Sequence, residues 1–141
     1  MSSIPLADVP VADREDLARF ILVEKHVRRD GSLPEIKAVA FLPYKHVELS
    51  VTRHRDLQAD ELWALGQQVA DMRQLPLVGR GDLTTNVPRQ QGLDVVPAEG
   101  PGKGARNHAN IVGWPSEKAA QMVKALELAA AAQFVKYSQA A

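Results

Sequence analysis

Two short segments hold the residues best suited to chemistry, His46-Val-Glu48-Leu-Ser50 and His108-Ala-Asn110-Ile. In each, polar side chains stand at every second position, so on extended strands they share a face. An imidazole titrates near pH 6.5 and serves as general acid, general base or metal ligand. A carboxylate such as Glu48 beside it would orient or charge it, and Asn110 would add a hydrogen bond. His46, Glu48, His108 and Asn110 therefore form the candidate catalytic set, provided the two strands lie in one sheet. The same alternation arises when a one-sided antiparallel sheet turns a polar face to water.

A second group could hold an anion. The loop Gly100-Pro-Gly102-Lys103-Gly104-Ala-Arg106 is rich in glycine and carries two cations. Gly102 and Gly104 would let backbone N–H groups converge, and Lys103 and Arg106 would supply charge. It is not a Walker loop, because no Ser or Thr follows a Gly-Lys pair and a strand, not a helix, comes next. A surface loop would have the same glycine content. Arg53, in the run Arg53-His54-Arg55, joins the candidate anion-binding set, whereas Arg28-Arg29 reads equally well as a solvated turn. Arg80 and Asp82, two apart on a strand, share a face and could pair. Trp114-Pro115 reads as a hydrophobic staple at the mouth of the last helix.

The spacing invites comparison with the two-histidine phosphoesterases, whose strand motifs carry Thr or Ser two positions after each histidine. Here those positions are Glu48 and Asn110, so that family's phosphate-binding hydroxyls are missing. No histidine pair stands at i, i+4 and no HExxH is present, so no metal site is expected, nor any cofactor.

These groups need a scaffold. With 141 residues, 45% of them hydrophobic and 24% charged, the chain fits one globular domain with a real core. The 17 basic and 17 acidic residues cancel, which disfavours a broadly basic nucleic-acid binder. Aromatic residues make up only 5%, too few for base-stacking platforms. There is no cysteine, which excludes disulfides, thiolate metal sites and cysteine nucleophiles. No run approaches the roughly 20 apolar residues of a membrane span, and the first residues lack the pattern of a signal peptide. A cytoplasmic protein without a membrane association is the expectation.

Residues 1–12 read as a loose or surface-lying arm and 13–141 as the domain. Leu17, Phe20 and Ile21, after acidic Asp13, Glu15 and Asp16, predict a helix from 13 to about 22. The apolar run 36–42 predicts a central strand, and the alternation over 46–53 predicts its antiparallel neighbour. Leu62, Leu65, Val69 and Met72 predict a helix over 56–73, with Gln58 and Glu61 as a capping box. Strands are expected at 77–83, 93–96 and 108–112, with a short helical turn between the first two. A last helix is expected over 117–136, with Val123, Leu126, Ala130 and Phe134 on its apolar face.

The expected fold is α+β: one antiparallel or mixed sheet of five to six strands, with three helices packed mainly on one face. The expected function is a non-enzymatic binding or accessory module. It would present the polar strand face and the 100–107 loop to a protein partner, a second copy of itself, or an anionic ligand. The alternative is a small hydrolase or transferase acting on a phosphate-bearing small molecule, with His46 and His108 as acid and base.

Overall fold

A computed structural model describes residues 9–43, 47–100 and 105–138. Six antiparallel strands form the main sheet, in the order β6-β7-β4-β1-β5-β8. They are β1 (Asp16–Ile21), β4 (Leu49–Arg53), β5 (Gly79–Thr84), β6 (Asp94–Pro97), β7 (His108–Val112) and β8 (Gln133–Lys136). A small hairpin of β2 (Val27–Arg28) and β3 (Glu35–Ile36) stands apart from it. The helices are α1 (Ala59–Arg73), α2 (Asn86–Gln90) and α3 (Lys118–Ala131). The architecture is α+β.

Two cores line the two faces of the sheet. Leu17 and Ile21 of β1 join Leu49, Val51, Ala109 and Ile111 in the larger one, with Ala125, Leu128 and Ala129 of α3. Ala18, Phe20 and Leu22 meet Leu62, Leu65 and Ala70 of α1 in the smaller one. α2, through Pro88 and Val87, belongs with α3, so two helices lie on one face and α1 on the other. β1 is thus apolar on both faces. Its Leu17, Phe20 and Ile21 match a helical period, but the segment expected to be the first helix is a central strand.

Two other expectations are corrected. The run 36–42 is not a strand beyond Ile36: Ala38–Phe41 forms a 3-10 turn whose Ala40 and Phe41 plug the larger core. The last helix stops at Ala131, and Phe134 lies on β8, the edge strand beside β5. Val123 and Leu126, expected to face the core, are 62% and 54% exposed. The buried face of α3 is built from Gln121, Ala125, Leu128 and Ala129.

The 56–73 helix forms as expected from residue 59, and the Glu61 carboxylate accepts from the Gln58 backbone N–H at 2.8 Å. Gly66 marks a close approach there, since a Cβ would stand 2.6 Å from the Phe20 ring. Trp114 is buried in the larger core, where its indole N–H donates to the Ile111 carbonyl at 2.9 Å. The arm is tied down from Val9 onward. Val11 is in the core, and the carbonyls of Val9 and Pro10 accept from Arg53 at 2.9 and 3.3 Å.

The sheet is split. β1 is registered with β5 at six positions and β4 with β7 at four. β1 and β4 meet at only two, Leu17↔Arg53 and Ala18↔Thr52. Past that point no register pair joins Arg19–Ile21 to Leu49–Val51, and the halves β6-β7-β4 and β1-β5-β8 part.

Candidate functional site

A cleft of about 640 Å³ opens where the halves part. One wall is β1 with the last turns of α1, giving Phe20, Leu22, Val69, Met72, Arg73 and Leu75. The other is Glu48 with Leu49 to Thr52 of β4, together with His108 of β7. Arg19, Val39, Ala40, Leu42, His26 and Ala105 line it too. The volume falls in the roughly 300–1,000 Å³ range of small-molecule sites, which typically set a few polar groups in an apolar surround.

Arg19 marks the point of separation. Its Nε donates to the Ala40 carbonyl at 2.9 Å and one terminal nitrogen donates to the Ser50 carbonyl at 3.0 Å. A side chain thus bridges strands that the sheet ladder no longer joins. Burial, and then the nearby Arg73 charge, lower the Arg19 pKa to about 10. Among the described residues no carboxylate lies within ion-pairing distance of Arg19 (the ion pairs are made by other residues). His26 is also pushed down, by burial first and then by Arg19 and Lys37. At this end of the cleft the Arg19 guanidinium is held by backbone carbonyls.

The opposite wall carries the polar face anticipated from the alternation. Ser50 stands opposite Asn110 and Thr52 opposite His108, so these side chains share a face. Asn110 donates to the Glu48 carboxylate at 3.2 Å. Burial lowers the His108 pKa, against the opposing pull of the Ala98 backbone, Glu48 and Asn110. The Nε2 of His108 is buried and has no hydrogen-bond partner among the described residues.

Of the candidate catalytic set, Glu48, His108 and Asn110 come together, and His46 lies outside the described residues. Of the candidate anion-binding set, Gly102, Lys103 and Gly104 also lie outside them. Arg106 is half-exposed and reaches the Glu61 carboxylate at 3.6 Å. Arg53 is fully buried and binds Glu15 through two nitrogens, both at 2.7 Å, so its guanidinium is enclosed in the fold and does not face the cleft. Among the described residues, no group of three or more His, Cys, Asp or Glu side chains could hold a metal ion.

The Arg80–Asp82 pair forms, Nε lying 3.0 and 3.1 Å from the two carboxylate oxygens. His54 approaches the same carboxylate at 3.2 Å, and the Arg80 guanidinium lies 4.4 Å from the Trp63 ring centre. This network fastens α1 to β5.

The cleft's cations escaped sequence reasoning. Arg19 sits in the apolar run Leu-Ala-Arg-Phe-Ile, and a charge amid apolar neighbours was its only signal. Arg73 and Met72 looked like the ordinary end of a helix.

No family model matches the chain, and no curated protein or solved structure matches it with significance. Among the described residues no helix is long and apolar enough to cross a membrane.

The two lowered imidazoles give the cleft a pH signature. A histidine whose folded pKa lies below its unfolded value of about 6.5 is protonated first in the unfolded chain. His26 and His108 therefore contribute full stability above about pH 6.5, and lose it as pH falls from there toward their folded values. Urea unfolding at pH 7.5 and 5.5 should show lower stability at 5.5. His108→Asn should flatten that slope, and an unchanged slope would refute the assignment of His108 to the effect.

Proposed function

We propose that this protein is a cytoplasmic, non-enzymatic binding module whose ligand is a small anion with an apolar body, taken up in the cleft between β1 and β4. The observation that carries this reading is the half-buried Arg19, held by two backbone carbonyls near the Arg73 charge, with no carboxylate among the described residues in ion-pairing distance of Arg19. Partly desolvated like charges are costly, and a bound anion would repay that cost. Phe20, Leu22, Val69 and Met72 would cover the apolar body. Ala105 lines the same place.

The test is an amide NMR titration with hexanoate, hexyl phosphate and hexylamine. The two anions should perturb the amides of Arg19–Leu22, Leu49–Thr52 and Val69–Leu75, and the amine should not. Arg73→Ala should weaken hexanoate binding by about tenfold, as expected for losing one charge-assisted contact. Perturbation confined to Gly100 and Ala105–Asn107, or none at all, would rule the cleft out.

A second reading, a hydrolase or transferase on a phosphate-bearing substrate, draws support from the unpaired Nε2 of His108 beside Glu48 and Asn110. It predicts turnover of p-nitrophenyl phosphate that disappears in His108→Ala, whereas the binding module predicts none.

A further inference from the structure

Three elements that line the cleft each bring a basic side chain to it. β1 supplies Arg19, the last turn of α1 supplies Arg73, and the 3-10 turn Glu24–His26 supplies His26. Backbone contacts fix His26 there. Its carbonyl accepts from the Lys37 N–H at 2.8 Å. Lys37 leads into the Ala38–Phe41 turn, whose Ala40 carbonyl accepts from Arg19 Nε. His26 is part-exposed and lines the cleft. Burial first, then the Arg19 and Lys37 charges, disfavour its protonated form. Among the described residues no carboxylate lies within ion-pairing distance of His26. On its own turn, Glu24 is paired with Arg29 and Lys25 is exposed. Glu48, on the facing wall, takes the hydrogen bond from Asn110.

We infer that His26 is a third basic group of the anion site, and that the cleft takes up its anion together with a proton on His26. This rests on the cleft being the anion site proposed above. In the empty cleft an imidazolium would stand beside Arg19 and Lys37 without a counter-charge, and like charges disfavour the charged form. An anion seated at Arg19 reverses that balance, because it sets an opposite charge in a space that His26 already borders. Arg19 and Arg73 keep their charge at neutral pH, whereas an imidazole changes its charge near there. The coupling is reciprocal: the factor by which the proton tightens the anion is the factor by which the anion tightens the proton. An anion that raises the His26 pKa by about one unit therefore binds about tenfold more tightly to the protonated cleft.

The probe is hexane-1-sulfonate, which stays singly charged from pH 7.5 to 5.5, titrated into the whole protein while the amides and the histidine rings are followed by NMR. Its affinity should rise as pH falls across that range, toward a gain of about tenfold. Ring titrations with and without saturating sulfonate should show the His26 pKa raised by about one unit in the bound protein, and that of His108 raised less. In His26→Gln the gain at low pH should vanish. The wild-type ring titration needs no variant, so it decides the matter even if His26→Gln fails to fold. Equal sulfonate binding at both pH values with an unmoved His26 overturns this inference and leaves the anion site intact. A gain that persists in His26→Gln, or that moves His108 in place of His26, overturns it as well. If the sulfonate moves no cleft amide at either pH, the anion site itself is refuted and this inference with it.

Discussion

Replacing Glu15 with alanine should destabilise the protein by about 3–5 kcal/mol, the usual cost of stripping one partner from a buried ion pair. Arg53 is fully buried, and its Nε and one terminal nitrogen each lie 2.7 Å from a Glu15 carboxylate oxygen. The guanidinium also donates to the Val9 and Pro10 carbonyls. Without the carboxylate, a guanidinium that cannot shed its proton stays in the interior. The arm it holds would loosen as well, since the Ala12 N–H also donates to Glu15 at 2.8 Å. Burial works to raise the Glu15 pKa, but the hydrogen bonds from Arg53 and Ala12 and the charges of Arg53 and Arg55 outweigh it and hold the carboxyl below 4.5. A depressed carboxylate contributes stability above its unfolded pKa and loses it as pH falls through the folded one. The gap between wild type and Glu15→Ala should therefore be full at pH 7 and narrow below about pH 4.5. Replacing both partners with apolar residues, Glu15→Leu with Arg53→Met, should recover much of the loss. Urea unfolding of both variants beside wild type checks this. A cost for Glu15→Ala below 1 kcal/mol would mean that the pair is not the anchor described above.

Arg53 also shows where reading the sequence alone falls short. A cation in a basic triplet at a strand end has the same local signature whether it awaits a phosphate or a carboxylate 38 positions away. Features set by local periodicity were legible: α1 with its Glu61 cap, the alternation of β4 and β7, and the Arg80–Asp82 pair. Features whose period was blurred by two-sided burial were not. β1 buries Leu17 and Ile21 on one face and Ala18 and Phe20 on the other, so no period of two survives and a chance helical spacing takes its place. In α3 the larger residues Val123 and Leu126 face outward while small Ala125 and Ala129 pack inward, which inverts the usual stripe. β8 was absorbed into the preceding helix because Phe134 fell on the helical period. The polar wall of the cleft could be foreseen, because strand alternation places Glu48, His108 and Asn110 on one face. The cleft could not, because it exists only where β1 and β4 stop pairing after two positions. That separation is a property of the sheet as a whole, and the Arg19 side chain bridges it to the Ala40 and Ser50 carbonyls.

Asn107→Ala should cost about 2–5 kcal/mol, through two separable effects. Asn107 is buried with φ of 61°, in the left-handed region that asparagine tolerates and alanine resists by about 1–2 kcal/mol. Its side-chain nitrogen donates to the carbonyls of Arg53 at 2.9 Å and Arg55 at 2.7 Å. Alanine would leave both acceptors short of a donor, at a net cost of about 0.5–1.5 kcal/mol each. Asn107→Gly removes the hydrogen bonds but accepts the backbone angle, so it should fall between wild type and Asn107→Ala. The difference between the two variants then measures the conformational part alone. The residue has a functional position too. It closes the turn between the 100–107 loop and β7, and its own carbonyl accepts from the Arg53 N–H at 2.8 Å, which fixes β7 against β4 immediately before His108. Both variants should therefore loosen the amides of His108 and Ala109 in hydrogen exchange before the core of α1 is affected. If glycine and alanine at 107 both leave stability within 0.5 kcal/mol of wild type, the register of β7 is set elsewhere. The placement of His108 in the cleft would then need another explanation.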